Sequence, residues 1–193
     1  MRRERRELKA WLEDRHDQIA HHWRSEIRAR EDRRGDGGDG FLGRFLDDLL
    51  HFLAACLGSQ KDVGEGIWQQ ATYLYGSLAL QRGLAAGEVV EELQLLRTVI
   101  LRLLLETPTL KLEDQRFQRD FLILNKALDQ GVVRATIAYV DDLFFAHLQG
   151  SGVPESVTAD VEDELGRQLE TFRKELDLLE PSPPYHEKPH GQG

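Results

Sequence analysis

The chain has 193 residues and a mass of 22.1 kDa, room for one substantial domain and too little for two large ones. Lysine and arginine number 25 against 34 aspartates and glutamates, a formal charge of −9 that argues against a dedicated nucleic-acid binder. A single cysteine, Cys56, excludes an intrachain disulfide and a cysteine metal cage. Leucine occurs 31 times and isoleucine plus valine 16 times, and no window alternates apolar and polar residues between turn signals. Leucine keeps its rotamer freedom in helices, whereas β-branched residues favour strands, so the chain reads as all-α.

The first predicted helix runs from about Arg3 to Arg30, with Leu8, Trp11, Leu12, Ile19, Trp23 and Ile27 on one stripe. From Met1 to Arg34 eleven basic residues face eight acidic ones, a solvated face rather than a nucleic-acid surface. The glycine-rich run Arg33–Gly40 breaks the helix. A second helix spans about Phe41–Leu57, and Gly58–Gly66 is a loop. A third covers about Ile67–Gln81 and stops at Gly83. The fourth, Glu88–Glu106, is apolar nearly all round, which suits the middle of a bundle or an oligomer interface. Its charges, Glu91, Glu92, Arg97 and Arg102 among them, keep it from being a membrane span.

Thr107-Pro108-Thr109 ends that segment, and a long fifth helix follows from about Leu112 to Leu148. Gly131 inside it costs about 1 kcal/mol relative to alanine, which the length can absorb. Pro154 suits the first turn of a sixth helix, whose Leu165, Leu169, Phe172, Leu176 and Leu179 form a short a/d seam in want of a partner. From Glu155 to Glu180 nine acids outnumber three bases. The expected organisation is a helical domain over residues 1–150, an acidic amphipathic helix over 151–180 and a disordered tail over 181–193. No apolar segment follows the basic N-terminus, so a secretory leader is not expected and the cytoplasm is the default location.

Catalytic constellations are weak. Cys56 lies in an apolar run and reads as a core thiol. There is no G-x-S-x-G elbow and no phosphate-binding glycine loop, since Gly35–Gly40 lacks the following Lys-Ser/Thr. Asp48 and His51 stand i, i+3 and would supply two metal ligands, but no Glu-x-x-His complements them and a partly exposed surface pair is the simpler reading. His16, Asp17, His21 and His22 share a helix crowded with arginine, which repels cations. Haem is the sharpest cofactor alternative. An all-α domain of this size can be a globin, and His51 and His147 are the histidines on core-forming helices, His147 near a helix end.

One stretch is more specific. Ala71-Thr72-Tyr73-Leu74-Tyr75-Gly76 leads through Arg82-Gly83-Leu84 to Val89-Val90-Glu91-Glu92-Leu93-Gln94-Leu95-Leu96-Arg97. It resembles the N-terminal sensory domain of RsbR/RsbRD-type proteins, the RsbT co-antagonists of bacterial stress signalling, a domain type that also precedes some sensor histidine kinases. Gly83, Glu92, Leu96 and Arg97 match the family's glycine turn and E-x-x-x-L-R pattern, and Trp23 the tryptophan late in its first helix. Leu124–Asp129 with Ala138-Tyr139 is similar to its long last helix. Tyr75 stands before Gly76 where the family often has histidine, and Ala79 where a basic residue often follows. The resemblance covers about Leu8–Leu148, and residues 149–193 are expected to form an acidic helix and a tail rather than a kinase or STAS domain.

The resemblance implies a globin-like helical bundle without haem, a homodimer acting as a non-enzymatic sensory module. Its partners would be a second copy and a signalling protein in trans, such as a kinase or STAS-type protein, and neither nucleic acid nor membrane. The positions carrying it are Tyr75, Gly76, Gly83, Glu92, Leu96 and Arg97. Glu92 and Arg97 are expected either to hold the helix pair through polar contacts or to be surface pairs worth under about 1 kcal/mol.

Overall fold

The computed structural model describes residues 7–31, 39–107, 113–150, 152 and 157–179. Among these residues the chain is all-α: α1 (Glu7–Asp14), α2 (His16–Glu31), α3 (Asp39–Ala55), α4 (Lys61–Gln81), α5 (Ala86–Leu105), α6 (Gln115–Gln149) and α7 (Ala159–Leu179). The expected breaker at 33–38, Pro108, Pro154 and the tail over 181–193 lie outside the described residues.

The single N-terminal helix of the sequence reading is two helices meeting at Arg15. The hydrogen-bond ladder continues across the joint, from Arg15 N–H to the Trp11 carbonyl and from Ile19 N–H to the Arg15 carbonyl. The apolar stripe therefore stays buried on both sides: Leu8, Trp11 and Leu12 in α1, Ile19, Trp23 and Ile27 in α2. Helix α4 begins six residues earlier than its periodicity suggests, because Gly64 and Gly66 look like loop residues. Gly64 is instead a contact device: a Cβ there would lie 2.7 Å from the Ala55 carbonyl, so only glycine lets α4 start against the end of α3.

The α4–α6 pair is the most extensive packing in the molecule. The two helices run in the same direction, with Trp68 over Gly131, Gly76 over Ala135 and Leu84 beside Tyr139. A Cβ on Gly76 would fall inside the Ala135 carbonyl group, 2.8 Å from its carbon. One on Gly131 would meet the Trp68 ring at 2.6 Å. Gly131 is thus the condition for close approach rather than a tolerated flaw in a long helix. Trp68 Nε1 donates to the Ala127 carbonyl at 2.6 Å and Tyr139 Oη to the Leu84 carbonyl at 2.7 Å, so both ends of the crossing are also hydrogen-bonded. α5 packs between α2 and α6 and buries Val89, Leu93, Leu96, Val99, Ile100, Leu103 and Leu104, as its apolar circumference predicts.

α7 is not a free appendage. Its seam residues Leu165, Leu169 and Leu176 are buried against α3 and α4, and Phe172 meets Phe52 edge-on with ring centres 6.1 Å apart. Arg173 of α7 grips Asp48 of α3 through Nε–Oδ1 (2.7 Å) and Nη2–Oδ2 (2.8 Å). The partner that the a/d spacing calls for is the chain's own bundle. The outward face keeps the acids: Asp160, Asp163, Glu164, Glu170, Glu175 and Asp177 are all exposed.

Candidate functional site: a buried Tyr–Glu–Arg tie

The α4–α5 connection is built from its glycine. Gly83 adopts φ +70°, the left-handed conformation that closes a helix at little cost only in glycine. Leu84 N–H returns to the Ala79 carbonyl (3.1 Å) and Gly83 N–H to the Leu80 carbonyl (2.9 Å), the paired bonds of a Schellman stop. α5 starts two residues later, where the Glu88 carboxylate accepts from Ala85 N–H at 2.7 Å. This tight reversal turns α5 back so that Glu92 faces the last two turns of α4.

There Glu92 is buried with both oxygens occupied. Arg82 donates from Nη1 to Oε2 (2.9 Å) and from Nη2 to Oε1 (2.8 Å), a two-pronged pair with both side chains under a tenth exposed. Tyr75 Oη donates to Oε2 of the same carboxylate. Trp23 of α2 adds a 2.8 Å bond from Nε1 to the Glu92 backbone carbonyl. One residue of α5 therefore ties α2, α4 and α5 together. The Tyr75 ring is fully buried between Trp23 and Phe45. Burial, then the charge of Glu92, pushes its hydroxyl well above the usual phenol range, so it stays a donor.

Of the positions singled out in the sequence, Tyr75 and Glu92 meet directly, with Gly83 forming the turn that lets them. Gly76 faces the other way, toward α6. Leu96, one turn past Glu92, is core. Arg97 turns to α6 and pairs with Asp129, so it belongs to a separate α5–α6 contact. The expectation of a surface pair fails for Glu92, which is inside the molecule. Arg82 is the residue sequence reasoning missed: it reads as a helix-ending base beside glycine. The available signal was its i+7 spacing from Tyr75, which puts both polar groups on one helix face.

The other candidates separate. His51 is exposed on α3, beside Phe52, and His147 is exposed near the end of α6, so neither is an inward haem ligand. Asp48 is not the surface partner of His51 but a buried carboxylate held by Arg173, its pKa raised because burial outweighs that cation. His16 lies 3.3 Å from Asp17 Oδ1 and 3.1 Å from the Asp47 carbonyl. Among the described residues no group of three or more His, Cys, Asp or Glu side chains is placed to hold a metal. Cys56 is buried and pushed up to about 12 by its surroundings, an inert core thiol.

An apolar groove of about 500 Å3 opens between the end of α5 and the start of α6, walled by Leu101, Leu104, Phe117 and Phe121, with Gln118 the single polar side chain among the described residues that line it. Among the described residues its walls carry no ionisable side chain. Among the described residues no helix is long and apolar enough to cross a membrane. No family model, curated protein or solved structure gives a significant match to the chain. The fold and site define an all-α bundle whose most developed polar feature is a saturated interhelical tie.

Proposed function

We propose that this chain is a non-enzymatic sensory and regulatory module of the RsbR/RsbRD N-terminal type, of globin-like arrangement, which works as a homodimer in bacterial stress signalling and acts on an output protein in trans. The observation that carries this reading is the outer face of α6. Val133, Ile137, Val140, Phe144 and Leu148 are each between 41% and 64% exposed, on the side turned away from the bundle. Isolated exposed apolar residues are ordinary, but a contiguous stripe marks an interaction surface.

The buried tie supports the same reading. Every oxygen of the Glu92 carboxylate is already bonded within the chain, so it is a means of coupling helices rather than a group waiting for substrate. The relay runs from α5 through the α4–α6 crossing into α6. The exposed carboxylates of α7 form the acidic surface for a basic face of a kinase or STAS-type output protein. Light scattering over a range of concentrations tests the core of the proposal: a dimer at micromolar concentration is expected. A strictly monomeric chain, or turnover of a small molecule by the purified protein, refutes it.

A further inference from the structure

The two faces of α6 follow the same step. Leu124, Leu128, Gly131, Ala135 and Ala138 point into the bundle at intervals of four, three, four and three. Val133, Ile137, Val140 and Phe144 repeat four, three, four on the outside, displaced by two residues and so by about 200°. The inner face is spent on α4 and α5. The outer face has coiled-coil spacing. From Val140 onward nearly every residue of α6 is exposed, so the helix end extends beyond the body of the bundle.

The charges beside the stripe choose the occupant and its direction. Arg134 and Asp141 are seven residues apart and lie on one flank. Arg134 donates only to the neutral Gln69 Oε1, at 3.0 and 3.2 Å, and Asp141 is in no ion pair among the described residues. On the opposite flank Asp129 is already engaged by Arg97. A parallel pair would make Asp129, 67% exposed and already bonded by Arg97 through Oδ1, share its carboxylate between Arg97 and Arg134, and would set Asp141 against Thr136, leaving that charge unmatched. An antiparallel pair sets each flank against itself and brings Arg134 of one copy beside Asp141 of the other, twice by symmetry.

We infer that α6 is the seam of an antiparallel two-fold dimer centred between Ile137 and Val140, locked at each end by an Arg134–Asp141 pair between copies. This deepens the homodimer of the preceding section and rests on it. Ile137 faces Val140 of the second copy and Val133 faces Phe144, so the projecting end of each α6 lies on the anchored middle of the other. The five stripe residues expose on the order of 500 Å2 per copy. Two copies therefore cover about 1,000 Å2 of apolar surface, and the flanking polar side chains carry the total into the range of stable interfaces.

The test uses the full chain. Arg134→Asp and Asp141→Arg are each expected to weaken the dimer at least tenfold by analytical ultracentrifugation, and Arg134→Asp/Asp141→Arg together to restore it. Asp141→Arg lowers the net negative charge, so its weakening cannot come from general repulsion. Spin labels on Gln149→Cys, about ten residues from the axis, are expected about 30 Å apart, against about 10 Å in a parallel pair. A dimer with the short distance, or one indifferent to both single reversals, overturns the antiparallel seam and leaves self-association standing. A monomer at every concentration overturns both, and assigns the stripe to a different protein.

Discussion

Replacing Glu92 with glutamine probes the tie with the least change of shape. The amide keeps one oxygen that can accept from Tyr75, so what is lost is the charge. The Arg82 guanidinium, 7% exposed, then loses the charge of the carboxylate it grips with both Nη atoms. Removing one partner of a buried pair costs about 3–5 kcal/mol, most of it the penalty of the stranded charge. Glu92→Gln should therefore lower the unfolding free energy by about 3 kcal/mol, the lower end because an acceptor remains. That is a large share of the 5–15 kcal/mol typical of a domain. Tyr75→Phe removes one bond to a charged group and should cost about 1.5–3 kcal/mol. Arg82→Met with Glu92→Met removes both desolvation penalties and should recover much of the loss. Urea unfolding followed by circular dichroism measures all three. A Glu92→Gln cost below about 1 kcal/mol, or a double variant worse than the glutamine alone, would refute the reasoning that Arg82 depends on Glu92 for its burial.

Three further outcomes are expected. Gly76→Ala places a methyl group inside the Ala135 carbonyl, so α4 and α6 must separate; a loss of several kcal/mol is expected, beyond the 1–3 kcal/mol of ordinary overpacking, and a neutral effect in the same unfolding assay would show that the crossing is not closed there. The Cys56 thiol, raised to about 12, should resist a thiol reagent in the native chain and react fully in urea. Because the folded value is raised, its contribution to stability is whole below the ordinary thiol range and is lost as pH climbs from about 9 toward 12, with Tyr75 adding to the same alkaline decline. Cys56→Ala should flatten part of that decline; an unchanged slope would contradict the assignment.

The helices themselves were written in local pattern. Leucine at three- and four-residue steps, the stop at Gly83 and the apolar girth of Val89–Leu105 are properties of neighbouring residues, and each appears in the fold within a few positions. The ends were harder to place: Gly64 looks like a loop residue in sequence and is a helix contact in space. The seam of α7 was legible as a seam, but periodicity says only that a face must be covered, never by what.

Tertiary structure alone decided the site. Periodicity orients a residue about its own helix axis and carries no information about which other helix stands opposite. Arg82 acquires its role only when the Gly83 turn folds α5 back and delivers Glu92 to it. Gly131 changes from a small cost to a necessity only when Trp68 arrives from α4. His51 and His147, equivalent to inward ligands on paper, end outside: His51 because α3 turns its greasier side inward, His147 because the end of α6 extends beyond the bundle. The burial of a polar group is a property of the pair it makes across the fold, and that pairing is settled by packing rather than by spacing along the chain.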